Sequence, residues 1–153
     1  AALYCSTFHN IGKGVVRMEP ATVSSCILTL NKRFSTYTTQ RLQELGLSFG
    51  LMYFVIYVGK HPDCSPPELT KDLHLDWGHS QRSLIRLAED GFLTREKVGR
   101  SYRLNLTEKG ETAFAVCHQV FYDWDARNLN GLTAEEQRQL LSLLQKATRK
   151  ESV

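Results

Sequence analysis

The sequence predicts a mainly α fold of the α+β class, in which long helices at both ends bracket a helix-turn-helix and a β-hairpin. Three observations carry this. Apolar residues recur at spacings of three and four from Val23 to Tyr37 and again from Phe114 to Trp124, the period of a one-sided helix. Between these stretches lie two short segments opened by strong start signals, at Ser65 and Asp76. One stretch only, Phe92 to Leu106, changes to the period-two alternation of a half-buried strand pair. With 153 residues, 42% hydrophobic and 23% charged, the chain has the size and composition of one globular domain rather than a disordered segment. The longest apolar run, Leu51–Val58, is too short for a membrane span of about 20 residues. Residues 1–17 lack an apolar signal core, so the expectation is a cytoplasmic protein with no membrane association.

The first 20 residues hold Gly12, Gly14 and Pro20 with no sustained apolar period, and read as a poorly packed arm. Met18 marks residues 1–17 as a candidate upstream extension. From Ala21, Val23, Ile27, Leu30, Phe34 and Tyr37 form one stripe that Arg41 interrupts and Leu42 and Leu45 resume, until Gly46 ends the helix as a left-handed cap. A helix of about 35 Å with a single apolar stripe calls for a second long helix or another chain. Ser48 to Lys60 is apolar nearly all round and should lie at the core.

Ser65-Pro66-Pro67-Glu68 is a capping box with proline at the first helical position, opening a short helix that buries Leu69 and Leu73. Asp76 caps a helix from Trp77 to Asp90 that buries Leu84, Leu87 and Ala88 and stops at Gly91. Phe92–Lys97 and Tyr102–Leu106 pair as a hairpin with Val98-Gly99 at the turn. Thr107 caps a long helix with a stripe of Phe114, Cys117, Phe121 and Trp124, broken at Asn130-Gly131. Thr133 and Glu136 form a second capping box before a helix lined by Leu140, Leu141, Leu144 and Ala147. The whole is a winged helix-turn-helix with long N- and C-terminal dimerisation helices. Residues 48–106 form the winged region, and 21–47 with 107–150 form the helical dimerisation region.

Nineteen basic residues against sixteen acidic ones give a net charge of +3, too small to identify a partner. Distribution says more. Arg82 to Arg103 holds six basic residues and three acids. The face after Asp76 carries Trp77 and Gly78 at its start, then His79, Gln81, Arg82 and Arg86. Arginine pairs with guanine edges and glutamine with adenine edges, so these are candidate base readers. Gly78 lets the backbone come close to a phosphate at a helix N-terminus. Lys97, Arg100 and Arg103 on the hairpin are candidate backbone contacts. The bland alternative is a solvated basic face. No phosphate loop, nucleophile elbow, paired-histidine metal motif or dinucleotide fingerprint is present, so no enzyme, cofactor or metal site is expected.

Leu45-Gly46-Leu47-Ser48, Leu75 to Arg82, Leu87 to Arg95 and above all Leu106-Thr107-Glu108-Lys109-Gly110 together resemble the MarR family of bacterial transcription regulators. The resemblance implies a homodimer bound to double-stranded DNA at a pseudo-palindromic operator, usually as a repressor. It also implies release by a small phenolic or anionic effector, or by cysteine oxidation. Arg82 matches the family's recognition-helix arginine and Arg100 its wing arginine. Val98 stands where the family's wing has an aspartate, and the wing is a few residues short. His79 and Ser80 replace the usual threonine and aliphatic residue, so no operator preference carries over.

Four cysteines (Cys5, Cys26, Cys64, Cys117) form no Cys-x-x-Cys pair. Cys26 sits near where peroxide-sensing relatives keep a reactive thiol, against the simpler reading of a packed thiol. His61, Asp63 and Cys64, and Cys117 with His118, have metal-compatible chemistry but no structural-zinc spacing. Two other readings stay open: a winged helix used for protein–protein contact, and a thiol-based redox-sensing regulator.

Overall fold

A computed structural model describes residues 22–149. The expected arm, Cys5 and residues 150–153 lie outside the described residues. The elements run α1 (Val23–Gln43), α2 (Phe49–Lys60), α3 (Pro66–Asp72), α4 (Trp77–Glu89), β1 (Leu93–Val98), β2 (Ser101–Leu106), α5 (Glu108–Asn128) and α6 (Ala134–Thr148). Residues up to Lys32 form one unit and those from Arg33 a second.

In the first unit the helix starts two residues after Ala21. Thr22 and Ser25 set that start: the backbone N–H of each donates to the other's hydroxyl at 3.1 Å. Val23 and Ile27, expected on a buried stripe, are exposed, as is Leu28.

In the second unit the core forms around α2, whose Met52, Phe54, Val55 and Val58 are sealed from water. The all-round apolar reading holds except at Tyr53, which is exposed. Phe34 of α1 stacks near Phe121 and Trp124, with ring centroids 5.1 and 5.7 Å away, and Thr38 and Leu42 are fully buried. Helical bonding in α1 stops at Gln43. Gly46 then takes φ +68°, the left-handed position expected of it, while the Leu47 N–H returns to the Leu42 carbonyl at 3.2 Å.

Capping fixes the short helices. The Glu68 carboxylate accepts the Ser65 N–H at 2.7 Å, which holds its carboxyl below the usual range. Asp76 accepts the His79 N–H at 2.8 Å. The turn between α3 and α4 passes through His74 at φ +52°, closed by Leu75 N–H to Thr70 carbonyl at 3.0 Å. Tyr57 of α2 donates to Asp72 of α3 at 2.6 Å, and that hydrogen bond pushes its phenol up to about 12.

Two expectations need correction. The hairpin turn is Gly99-Arg100, because Val98 still pairs with Ser101; Gly99 alone takes positive φ, +61°, as the first residue of a type II′ turn must. On α5 the buried line is Gly110, Ala113, Cys117, Val120 and Trp124: the expected Cys117 and Trp124 are buried, while Ala113 and Val120 take the inward places expected of Phe114 and Phe121. Phe114 is only half-buried and Phe121 is exposed. The reason is close approach: the Phe114 ring lies against Gly59 of α2, where any side chain would collide with it. Gly59 leaves the room that the Phe114 ring takes, and the buried line beside it is small at Gly110, Ala113 and Cys117.

The Leu106-Thr107-Glu108-Lys109-Gly110 run is a joint. Thr107 donates its hydroxyl to the Gly91 carbonyl at 2.6 Å and accepts the Gly110 N–H at 3.1 Å. Lys109 donates to the Asp90 carbonyl at 2.7 Å and rests over the Phe92 ring. Gly110 presses on the Phe92 carbonyl so closely that no Cβ fits. Helix α5 is thereby fixed where α4 hands over to β1.

Candidate nucleic-acid interface

At about 100° per residue, Ser80, Ser83, Leu84 and Leu87 turn α4 inward, and all four are buried. Arg82, Arg86 and His79 fall within roughly 60° of one another on one flank of the helix, next to Ser83, and are exposed. They line a groove of about 260 Å³ with Ser48, Gly50, Leu51 and Ser83, where the N-terminal turn of α2 meets α4. The groove sets the N-terminal turn of α2, whose cap Ser48 makes no side-chain capping bond, beside two guanidinium groups and an imidazole. Such a surface attracts anions and presents hydrogen-bond donors.

Each side chain is placed by its neighbours. His79 packs edge-on against Phe54, centroids 6.0 Å apart. A Cβ on Gly78 would press on Asp76 Oδ1 and Arg82 Nη1, at 3.2 and 3.3 Å, so the glycine makes room for the arginine and the cap. Arg86 pairs with Asp90 at 3.6 Å in the open, a weak contact that leaves the guanidinium available. Trp77, at the first turn, is half exposed.

Gln81 lies about 100° round from Arg82 on the other edge of the helix, toward the hairpin. Its Oε1 accepts from Arg95 Nη2 at 3.4 Å. In the hairpin, Lys97 and Arg100 are exposed at the tip end, and Glu96 faces Arg103 across the strands. Arg103 donates to the Asp63 carbonyl at 3.1 Å. Asp63 also accepts from Asn105 at 2.8 Å, and an isolated antiparallel bridge from Cys64 to Leu104 anchors the base of the hairpin. The structure thus brings together His79, Arg82 and Arg86, sets Lys97 and Arg100 on the hairpin, and turns Gln81 and Arg103 to protein partners.

Sequence reasoning gave Arg95 no role. Its signal was present: a charged residue at an inward position of the alternation, between buried Leu93 and exposed Lys97 on one strand and opposite buried Leu104.

Cys64 and Cys117 are buried, and burial pushes their thiols up to about 11 and about 12, the behaviour of packed rather than reactive cysteines. Cys26 is exposed. No group of three or more metal-ligating side chains occurs among the described residues, and no helix there is long and apolar enough to cross a membrane.

No family model matches the chain. It is 45% identical over 116 residues to the HTH-type transcriptional regulator BilQ of Clostridium symbiosum, which covers 74% of this chain and 81% of that one. Wild-type apo MarR from E. coli superposes at a TM-score of 0.69 with 26% identity, over 86% of this chain and all of the other. A cysteine-to-serine mutant of the same protein, solved with operator DNA, gives 0.71 with 25% identity over 82% and 93%. The identity to BilQ, the winged architecture and the motifs at Asp76–Arg82 and Leu106–Gly110 agree: the chain belongs to the MarR family of winged helix-turn-helix transcriptional regulators.

Proposed function

We propose that this regulator binds an operator in double-stranded DNA as a homodimer, with α4 in the major groove and the hairpin along the backbone. The observation that carries the reading is the exposed strip of His79, Arg82 and Arg86 on α4, with Lys97 and Arg100 exposed on the hairpin that follows it. The operator complex of the E. coli relative supports it. Arg82, Arg86 and His79 read bases, Trp77 and Gly78 border the backbone at the helix start, and Lys97 and Arg100 meet phosphates. Arg103, held by Asp63, shapes the wing and adds charge rather than a direct contact.

The dimerisation region comprises 21–47 and 107–150. Its support is the set of exposed leucines on α6 (Leu141, Leu143, Leu144), and a pseudo-palindromic operator follows from two-fold symmetry. Repression in the cytoplasm, relieved by a small phenolic or anionic effector, is the family expectation we carry over.

The test is an anisotropy titration of purified protein against duplexes tiled from its own upstream region, with a scrambled duplex alongside, at two salt concentrations. Tight binding to one tile that weakens steeply with salt, at one dimer per site, supports the reading. In that assay Arg82→Ala costs roughly 1–3 kcal/mol of specific binding. Salt-insensitive or absent binding points to the protein-contact alternative.

A further inference from the structure

Beyond the shared core of Leu84, Leu87, Leu93 and Leu104, one polar side chain of the hairpin reaches across to α4. Arg95, on the inner face of β1, lays its guanidinium over the Tyr102 ring, 4.7 Å from the centroid, and donates Nη2 to Gln81 Oε1 on α4 at 3.4 Å. Among the described residues no carboxylate pairs with it. Its Nε, and the Nε2 of Gln81, are sealed from water without a hydrogen-bond partner. Reading adenine with glutamine requires both amide atoms, the oxygen accepting and the nitrogen donating. Here the oxygen is taken and the nitrogen closed off. Rotating the amide would set two donors face to face, so the arrangement has one sense.

We propose that Arg95 is a positioning residue for DNA recognition, clamping the wing to α4 through Gln81 and Tyr102, and that Gln81 serves this clamp instead of reading a base. The clamp sets the angle between the strip on α4 and the cations at the hairpin tip, so that both reach one duplex together. It uses the flat face of the guanidinium on the ring together with one Nη donor, a combination the compact ammonium of lysine does not reproduce. The functional half of the inference rests on the DNA reading above.

Two measurements test it. In DNA-free protein, amide hydrogen exchange across Lys97–Ser101 reads the clamp directly. Gln81→Ala, Arg95→Met and Arg95→Lys each speed exchange there, and the Gln81→Ala/Arg95→Met pair speeds it no further than the faster single variant. Unchanged exchange overturns the clamp whatever the protein binds. In operator titrations, each single variant weakens binding by about fivefold, and the double variant by no more than the weaker-binding single. That loss is uniform across duplexes bearing single base-pair changes, and the salt dependence of Arg95→Lys matches wild type. A relaxed preference at one base pair in Gln81→Ala makes Gln81 a base reader and overturns the proposal, as does wild-type affinity in Arg95→Lys, which would leave charge alone at work. If exchange responds as stated but the wild-type protein binds no duplex, the DNA reading fails, and with it the positioning role, while the contact stands.

Discussion

The joint at Thr107–Gly110 and the helix α6 are both opened by capping threonines, yet they end in opposite situations. At the joint three residues meet partners elsewhere in the chain: Thr107 bonds Gly91 and Gly110, Lys109 bonds Asp90, and Gly110 rests on Phe92. Helix α6 has an equally good local start, with Thr133 N–H donating to Glu136 at 2.7 Å and an ion pair between Arg138 and Glu135. It nevertheless buries no residue, and Leu141 and Leu143 are 58% and 65% exposed. Local code makes a helix; it does not supply a surface to pack on. The joint completes its structure within the chain, whereas α6 has an apolar face that only further contacts would bury.

The sharpest way to break that contrast is to load both regions with a small change. Gly110→Ala drives a methyl group into the Phe92 carbonyl and should lower stability by about 3 kcal/mol, seen as a drop in Tm and in the denaturant midpoint. On α6, Leu141→Asp with Leu144→Asp should leave the unfolding of the winged region nearly unchanged. The same pair should weaken self-association at least about tenfold in sedimentation equilibrium, worth about 1.4 kcal/mol. Association that survives both charges would remove the exposed leucines as the dimer surface.

Smaller effects sharpen the picture inside the winged region. His74 holds a left-handed backbone in the turn between α3 and α4 with its side chain exposed, so His74→Gly should stabilise by about 0.5–1 kcal/mol in thermal denaturation. The smallest effect lies at alkaline pH. Hydrogen bonding to Asp72 raises the Tyr57 phenol from 10.0 to about 12, so its contribution is complete below pH 10 and lost as pH climbs through about 12. Tyr57→Phe should flatten the stability profile across that interval; an unchanged slope would detach the Tyr57–Asp72 bond from the stability of the α2–α3 contact.

By itself the sequence determined what depends on neighbours three or four residues apart. The start of α3 at Ser65, the Asp76 cap, the end of α1 at Gly46, both threonine-capped helices and the inward placement of Leu104 follow from local hydrogen bonding and periodicity. The motifs at Asp76–Arg82 and Leu106–Gly110 were legible for the same reason, since each is a local device. What only the tertiary structure decided was direction. Which line of α5 faces inward depended on how closely α2 could approach at Gly59, a distance no single helix encodes. Gln81 read as part of one polar face until the hairpin folded beside it and Arg95 took its oxygen. Arg103 is a wing cation by sequence; that it also meets the Asp63 carbonyl, 40 residues away, was decided by packing. A side chain's chemistry is written in its own residue, but its partner is chosen by packing between segments far apart in the chain, where one turn of a helix or one step of register changes which groups meet.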